Sequence, residues 1–122
     1  MANERKSPQS FLPLTPFAFQ VLLALADGPA HGYAIIKEAE ERSGGTVRFR
    51  TGTLYTLLQR LRDEQLISEP TDGPPAAHAD SRRRYYQLTA LGDAVLRAEA
   101  QRLEALIGDA RRKHVLSDVG GV

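Results

Sequence analysis

Between Arg42 and Arg62 the chain carries five arginines, Arg42, Arg48, Arg50, Arg60 and Arg62, and no acidic residue; Arg82, Arg83 and Arg84 form a second basic knot. Guanidinium groups gathered without counter-charge repel one another. Laid against a polyanion they displace condensed counterions, which makes such a cluster a candidate phosphate-binding surface. The same clusters also occur as plain solvated faces, and a formal net charge of +1 does not separate the two readings. Their positions relative to the surrounding elements carry the argument further.

Other chemistries find little support. His31, His78 and His114 fall in different segments without metal-ligand spacing, and the absence of cysteine excludes disulfides, thiolate metal sites and a cysteine nucleophile. No GxSxG, P-loop or dinucleotide fingerprint is present. The expectation is therefore a protein that is not an enzyme and carries no metal or cofactor. No apolar run reaches the roughly 18 residues of a membrane span, and the N-terminus does not read as a signal peptide. The expected location is the cytoplasm, with no membrane contact. At 122 residues, 42% apolar and 25% charged, the chain fits a single globular domain.

Residues 1–13, beginning MANERKSPQS, read as a loose arm. Thr15 followed by Pro16 is a helix start, a hydroxyl cap before a residue with no amide hydrogen to satisfy. The helix FAFQVLLALA ends at the Asp27-Gly28-Pro29 turn. Phe17, Val21, Leu22 and Leu25 make one apolar face, and Phe19, Leu23 and Ala26 another. A helix buried on two sides in so small a chain suggests that its second side meets a partner subunit. His31-Gly32-Tyr33 opens a second helix, with His31 read as a capping residue, and that helix frays at Ser43-Gly44-Gly45. A short extended piece, Thr46 to Arg50, leads to a third helix capped by Thr51 and running to about Glu64. Leu66 to Glu69 and Arg82 to Leu88 pair as a hairpin around a proline-rich tip, Pro70 to Ser81. Thr89 caps a last helix reaching about His114. The fold class is mainly α with a small β-hairpin wing: a winged helix-turn-helix over residues 14–88, a C-terminal dimerisation helix over 89–115 and a flexible tail over 116–122.

That order gives the arginines a purpose. On the third helix Leu54, Leu57, Leu58 and Leu61 lie within roughly 100° of arc, while Gly52, Thr56, Gln59 and Asp63 point the opposite way. Thr53, Thr56 and Gln59 could reach base edges in a major groove, Arg60 a base or a phosphate, and Thr51 is counted with them among the DNA-binding residues. Arg48 and Arg50 precede this helix, and Arg82 to Arg84 sit on the hairpin, so both clusters would lie along the same duplex. A winged helix used for protein contacts is the alternative, and the arginines of the hairpin argue against it.

The HGY at His31 to Tyr33, the GTLYTLLQRL at Gly52 to Leu61 and the RRRYYQLTALG at Arg82 to Gly92, in this order and spacing, resemble the PadR family of bacterial transcription regulators. The resemblance covers Thr15 to about Arg112. It departs at Thr56, where the family often has proline, and at Gln65, where it often has glycine. The resemblance implies a homodimer whose last helix packs on its partner, repression of transcription that a small molecule often relieves, and Tyr33 and Tyr55 near double-stranded DNA. Tyr33 as a packing residue at a helix start is the competing assignment.

Leu91, Val95, Leu96, Leu103, Leu106, Ile107 and Ala110 of the last helix lie within roughly 160° of arc, a stripe that a lone projecting helix leaves uncovered. Together with Phe17 and Val21 they form the expected contact between two copies. Glu99 and Arg102 fall at this stripe and either pair across the contact or extend to solvent. Phe17 and Phe19 could wall an effector site, or serve as core.

Overall fold

The computed structural model describes residues 7–46, 48–70 and 84–117. Four helices, α1 (Pro16–Ala24), α2 (Gly32–Arg42), α3 (Thr51–Asp63) and α4 (Ala90–Arg112), surround a three-stranded antiparallel sheet of β1 (Ala30–His31), β2 (Ile67–Ser68) and β3 (Tyr85–Leu88). This is the expected fold class, with one strand more than the hairpin. The added strand is β1: β3 is central, pairing His31 with Tyr85 on one side and Ile67 with Leu88 on the other. The hairpin is thus stitched to the start of α2.

Local chemistry sets the helix starts. The Thr15 hydroxyl accepts from the Ala18 amide at 3.1 Å, and the Thr89 hydroxyl accepts from the Gly92 amide at 2.9 Å. His31 caps α2 as expected, its Nδ1 accepting from the Ala34 amide at 3.1 Å. The start of α3 differs from expectation. Arg50 holds the cap position without a side-chain bond, and Thr51 is the first helical residue.

The end of α3 is fixed by its main chain. Leu66 N–H donates to the Leu61 carbonyl and Gln65 N–H to that of Arg62, both at 2.9 Å, the paired bonds of a Schellman ending. Such an ending wants a left-handed residue, and Gln65 supplies it at φ 65°. The following peptide receives α4 at close range: Gly92 lies so near the Leu66 carbonyl that a Cβ there would sit 1.9 Å from the oxygen. Thr89 completes the junction, its N–H donating to the same carbonyl at 3.1 Å and its hydroxyl to the Gln65 carbonyl at 2.6 Å.

The core corrects three sequence-based assignments. Val21, Val95 and Leu96 were expected between two copies, yet each is buried inside the protomer with Leu22, Ile35, Leu54, Leu58 and Leu61. Helix α1 packs against both α2 and α4 of its own chain. The first half of α4 therefore packs on the winged body. Residues 7–13 are also more ordered than a loose arm: Pro8–Phe11 form a 3-10 turn against α4, and Phe11, Leu12 and Leu14 pack on the core.

Glu99 joins these two segments. The side chain is 2% exposed, accepts from the Leu14 amide at 3.0 Å, and takes Arg102 Nε at 2.5 Å and Nη2 at 3.0 Å. Of the two alternatives, pairing between copies or extension to solvent, neither describes this bond, which joins neighbouring turns of α4. The Arg102 bond, offset by burial and aided by the Leu14 amide, holds the Glu99 carboxyl below the usual glutamate range.

Among the described residues no helix is long and apolar enough to cross a membrane. Residues 71–81 of the hairpin tip, Arg82, Arg83 and residues 118–122 of the tail lie outside the described residues.

Candidate nucleic-acid interface

The two faces of α3 divide as the sequence requires. Leu54, Leu57, Leu58 and Leu61 are buried, whereas Thr51, Gly52, Thr53, Tyr55, Thr56, Gln59 and Arg60 are all exposed. The leucine stripe fixes the helix on the core and leaves its polar front uncovered. Gln59 is the most constrained of the front residues, because its Nε2 donates to Asp63 Oδ1 at 3.0 Å.

The segment ahead of α3 alternates. Phe49 turns inward at 7% exposure, its ring 4.6 Å from that of Phe17, while Arg48 and Arg50 turn outward. Phe49 is therefore the anchor that aims both arginines. The sequence reading passed over it, although Arg-Phe-Arg in an extended stretch is the two-residue period of a half-buried strand. Arg48, Arg50 and Arg60 meet no acidic partner among the described residues.

The hairpin arginines divide differently. Arg84, expected to lie free on the wing, is exposed but sits 3.9 Å from Glu69, which also takes Arg62 at 3.1 Å. Arg84 thus has a structural share in tying the wing to the end of α3. The neighbouring Tyr86 is buried, and that burial raises its phenol above the ordinary tyrosine range, aided by Glu69.

Tyr33 is 70% exposed at the start of α2, with the His31 ring stacked 6.4 Å away. Its ring does not pack in the core; its ring contact is with His31 at the helix start. Tyr85 meets the same His31 edge-on at 5.4 Å, so the aromatic group spans α2 and the wing. Tyr55 is 39% exposed, and its hydroxyl lies over Gly32, where an added Cβ would come within 2.7 Å. Gly32 thus gives Tyr55 room beside Tyr33.

An open cleft of about 570 Å³ lies between the start of α1 and the front of α3, lined by Thr15, Phe17, Gly52, Thr53, Thr56, Leu57 and Arg60. Phe17 belongs to this cleft, whereas Phe19 packs against the core. At the far end of the molecule Leu106 and Ile107 are 51% and 43% exposed, and Leu103 and Ala110 are half-buried. Leu91, also assigned to a contact between copies, packs against the core.

This combination of exposed helix front, anchored arginines and stitched wing has relatives. The model of the PadR-like transcriptional regulator family matches residues 21–98. The chain belongs to the PadR-like family of transcriptional regulators. Its winged body is similar to that of a transcriptional regulator from Clostridium thermocellum, with a TM-score of 0.64 over 82% of this chain and 90% of that one; at 23% identity the likeness is one of fold. A PadR-like transcription factor from Bacteroides fragilis is 30% identical, with a TM-score of 0.58 over 81% and 88% of the two chains. An uncharacterized 37.1 kDa protein in transposon TN4556 of Streptomyces fradiae is 40% identical over 88 residues, 72% of this chain. This PadR-like chain spans only 23% of that relative's length.

Proposed function

We propose that this PadR-like regulator grips duplex DNA as a homodimer and represses transcription, with release by a small-molecule effector. The observation that carries DNA binding is the uncovered front of α3, flanked by three arginines that meet no acidic partner among the described residues. In this reading α3 enters the major groove, where Thr53, Thr56 and Gln59 meet base edges. Arg48, Arg50 and Arg60 take phosphates, Arg82 to Arg84 extend the grip along the wing, and Tyr33 and Tyr55 rest against the backbone beside Thr51.

The homodimer rests on the distal half of α4. Leu106 and Ile107, with Leu103 and Ala110 beside them, form an apolar face that a second copy covers by the same face. A two-fold pair presents two α3 helices to a roughly palindromic operator, with half-sites about 34–36 Å apart. Repression follows from occupying a promoter, as the family resemblance implies. Release by an effector is favoured by the cleft at Phe17, because an aromatic molecule seated there would cover Thr53 and Thr56.

The test is fluorescence anisotropy on a duplex from the chain's own upstream region, against a scrambled duplex, at several salt concentrations. Binding is expected to depend on sequence and weaken with salt. Arg48→Ala and Arg50→Ala should each reduce the slope of log K against log salt by about 0.9, one phosphate contact apiece. Leu106→Glu with Ile107→Glu should convert the dimer to monomer in sedimentation. Equal, weak affinity for both duplexes defeats the specific regulator, and a monomeric wild type defeats the dimer.

A further inference from the structure

Most of the described glycines have a reason within the fold. Gly28, Gly44 and Gly45 hold left-handed φ values of 137°, 66° and 88°, while side chains at Gly32 and Gly92 would strike Tyr55 and the Leu66 carbonyl. Gly52 has no such reason. It lies in the first turn of α3 with no left-handed φ, is exposed, and a Cβ built on it meets nothing within 4 Å. Helix propensity disfavours glycine there relative to alanine, so the protomer on its own would be better served by a side chain. Gly108 is the other glycine whose Cβ would meet only an ordinary contact, Arg112 Nη1 at 3.6 Å, and at 100° per residue it points away from the face made by Leu106 and Ile107.

Gly52 shares its helix stripe with Thr56 and Gln59 and lines the cleft that holds Thr53 and Arg60. We infer that Gly52 is a DNA-contact residue: its bare main chain lies in van der Waals contact with base edges on the floor of the major groove, and the missing side chain sets how deeply α3 enters. This rests on the DNA-binding reading and deepens it. A methyl group at position 52 fills space that the free protein leaves empty and the complex occupies. It holds the first turn of α3 away from the bases and takes Thr56 and Gln59 out of hydrogen-bond reach. The arginines on flexible stems still reach the phosphates, so contacts that do not depend on sequence survive.

Gly52→Ala separates a contact role from a folding role. The duplex is one selected by the wild-type protein from a random pool, and affinities for it and for a scrambled duplex are read by fluorescence anisotropy beside a thermal melt. The melting temperature is expected to stay level or rise by about 2–4 °C. The Kd for the selected duplex should rise at least fivefold, while that for the scrambled duplex stays within twofold. A smaller loss on the selected duplex, or an equal loss on both, overturns the contact role. A fall in melting temperature overturns the premise that the fold does not need this glycine. If the wild type selects no sequence at all, the DNA-binding reading fails first and this assignment falls with it.

Discussion

Glu99→Ala tests whether the inner half of α4 is held from within the protomer. The substitution removes the acceptor of the Leu14 amide at 3.0 Å and the partner of Arg102, and empties a position only 2% exposed. Leaving a buried main-chain donor unpaired costs about 1–3 kcal/mol. The amide is part-buried and can recover some water, so the middle of that range applies. The ion pair adds little, because the Arg102 side chain is 37% exposed and rehydrates on release. With the lost packing of the glutamate stem, the total is about 2–3 kcal/mol. Over 122 residues at roughly 2.1 cal/mol/K each, that lowers the melting temperature by about 8–12 °C. Calorimetry at fixed protein concentration keeps any self-association constant between variants. Glu99→Gln retains an oxygen for the Leu14 amide and should lose less than half as much. The carboxyl is held below the usual glutamate range, so the folded state binds its proton more weakly than the unfolded state does. Its ionic contribution is complete above the ordinary value near 4.3 and disappears as pH falls through the lower folded value. The gap between wild type and Glu99→Gln should therefore narrow on acidification. Equal losses for the two variants would show that the main-chain bond is not the principal term, and a drop under about 2 °C for Glu99→Ala would refute the reasoning altogether.

Two further substitutions test the junction between α3 and α4. Gly92→Ala places a carbon 1.9 Å from the Leu66 carbonyl oxygen, which the Thr89 N–H bond holds in position, so about 3 kcal/mol or more should be lost. An unchanged urea midpoint would contradict the close approach. Gln65→Gly relieves a left-handed residue at φ 65° and should stabilise by about 1 kcal/mol, whereas Gln65→Ala should not. If glycine and alanine behave alike in thermal melts, the backbone there is not strained.

The sequence displayed what is local and periodic. The Thr15, His31 and Thr89 caps, the leucine stripe of α3 and the paired strands β2 and β3 each announce themselves within a few residues. What it concealed depends on chain segments that meet only in the fold. Strand β1 is two residues long, too short for any alternation, and exists because β3 offers a free edge to it. The turn at Pro8–Phe11 reads as polar chain until α4 lies beneath it. The apolar stripe of α4 was visible in full, but a stripe does not say which part its own chain covers. Val95, Leu96 and Glu99 went inward and Leu106 and Ile107 stayed out because the body of the protomer ends midway along the helix. At the candidate interface, Gly52, Thr56, Gln59 and Asp63 were placed opposite the leucines in advance, and all four are exposed. Phe49, which aims Arg48 and Arg50, was missed because a lone aromatic between arginines resembles surface until its tilted contact with the Phe17 ring is seen.

Helix α4 runs unbroken for 23 residues, about 34 Å, from the glycine seat at Leu66 to the exposed pair at Leu106 and Ile107. Its first half is bolted to the body by Val95, Leu96 and Glu99, so its second half inherits a fixed rotational phase relative to α3. Inserting a single residue after Arg102 would turn the distal apolar face by about 100° and advance it about 1.5 Å, whereas three or four residues would nearly restore its direction. Changes in length at this point are thus constrained by helical turns rather than by residue count, and the rod acts as a protractor between the two ends of the molecule.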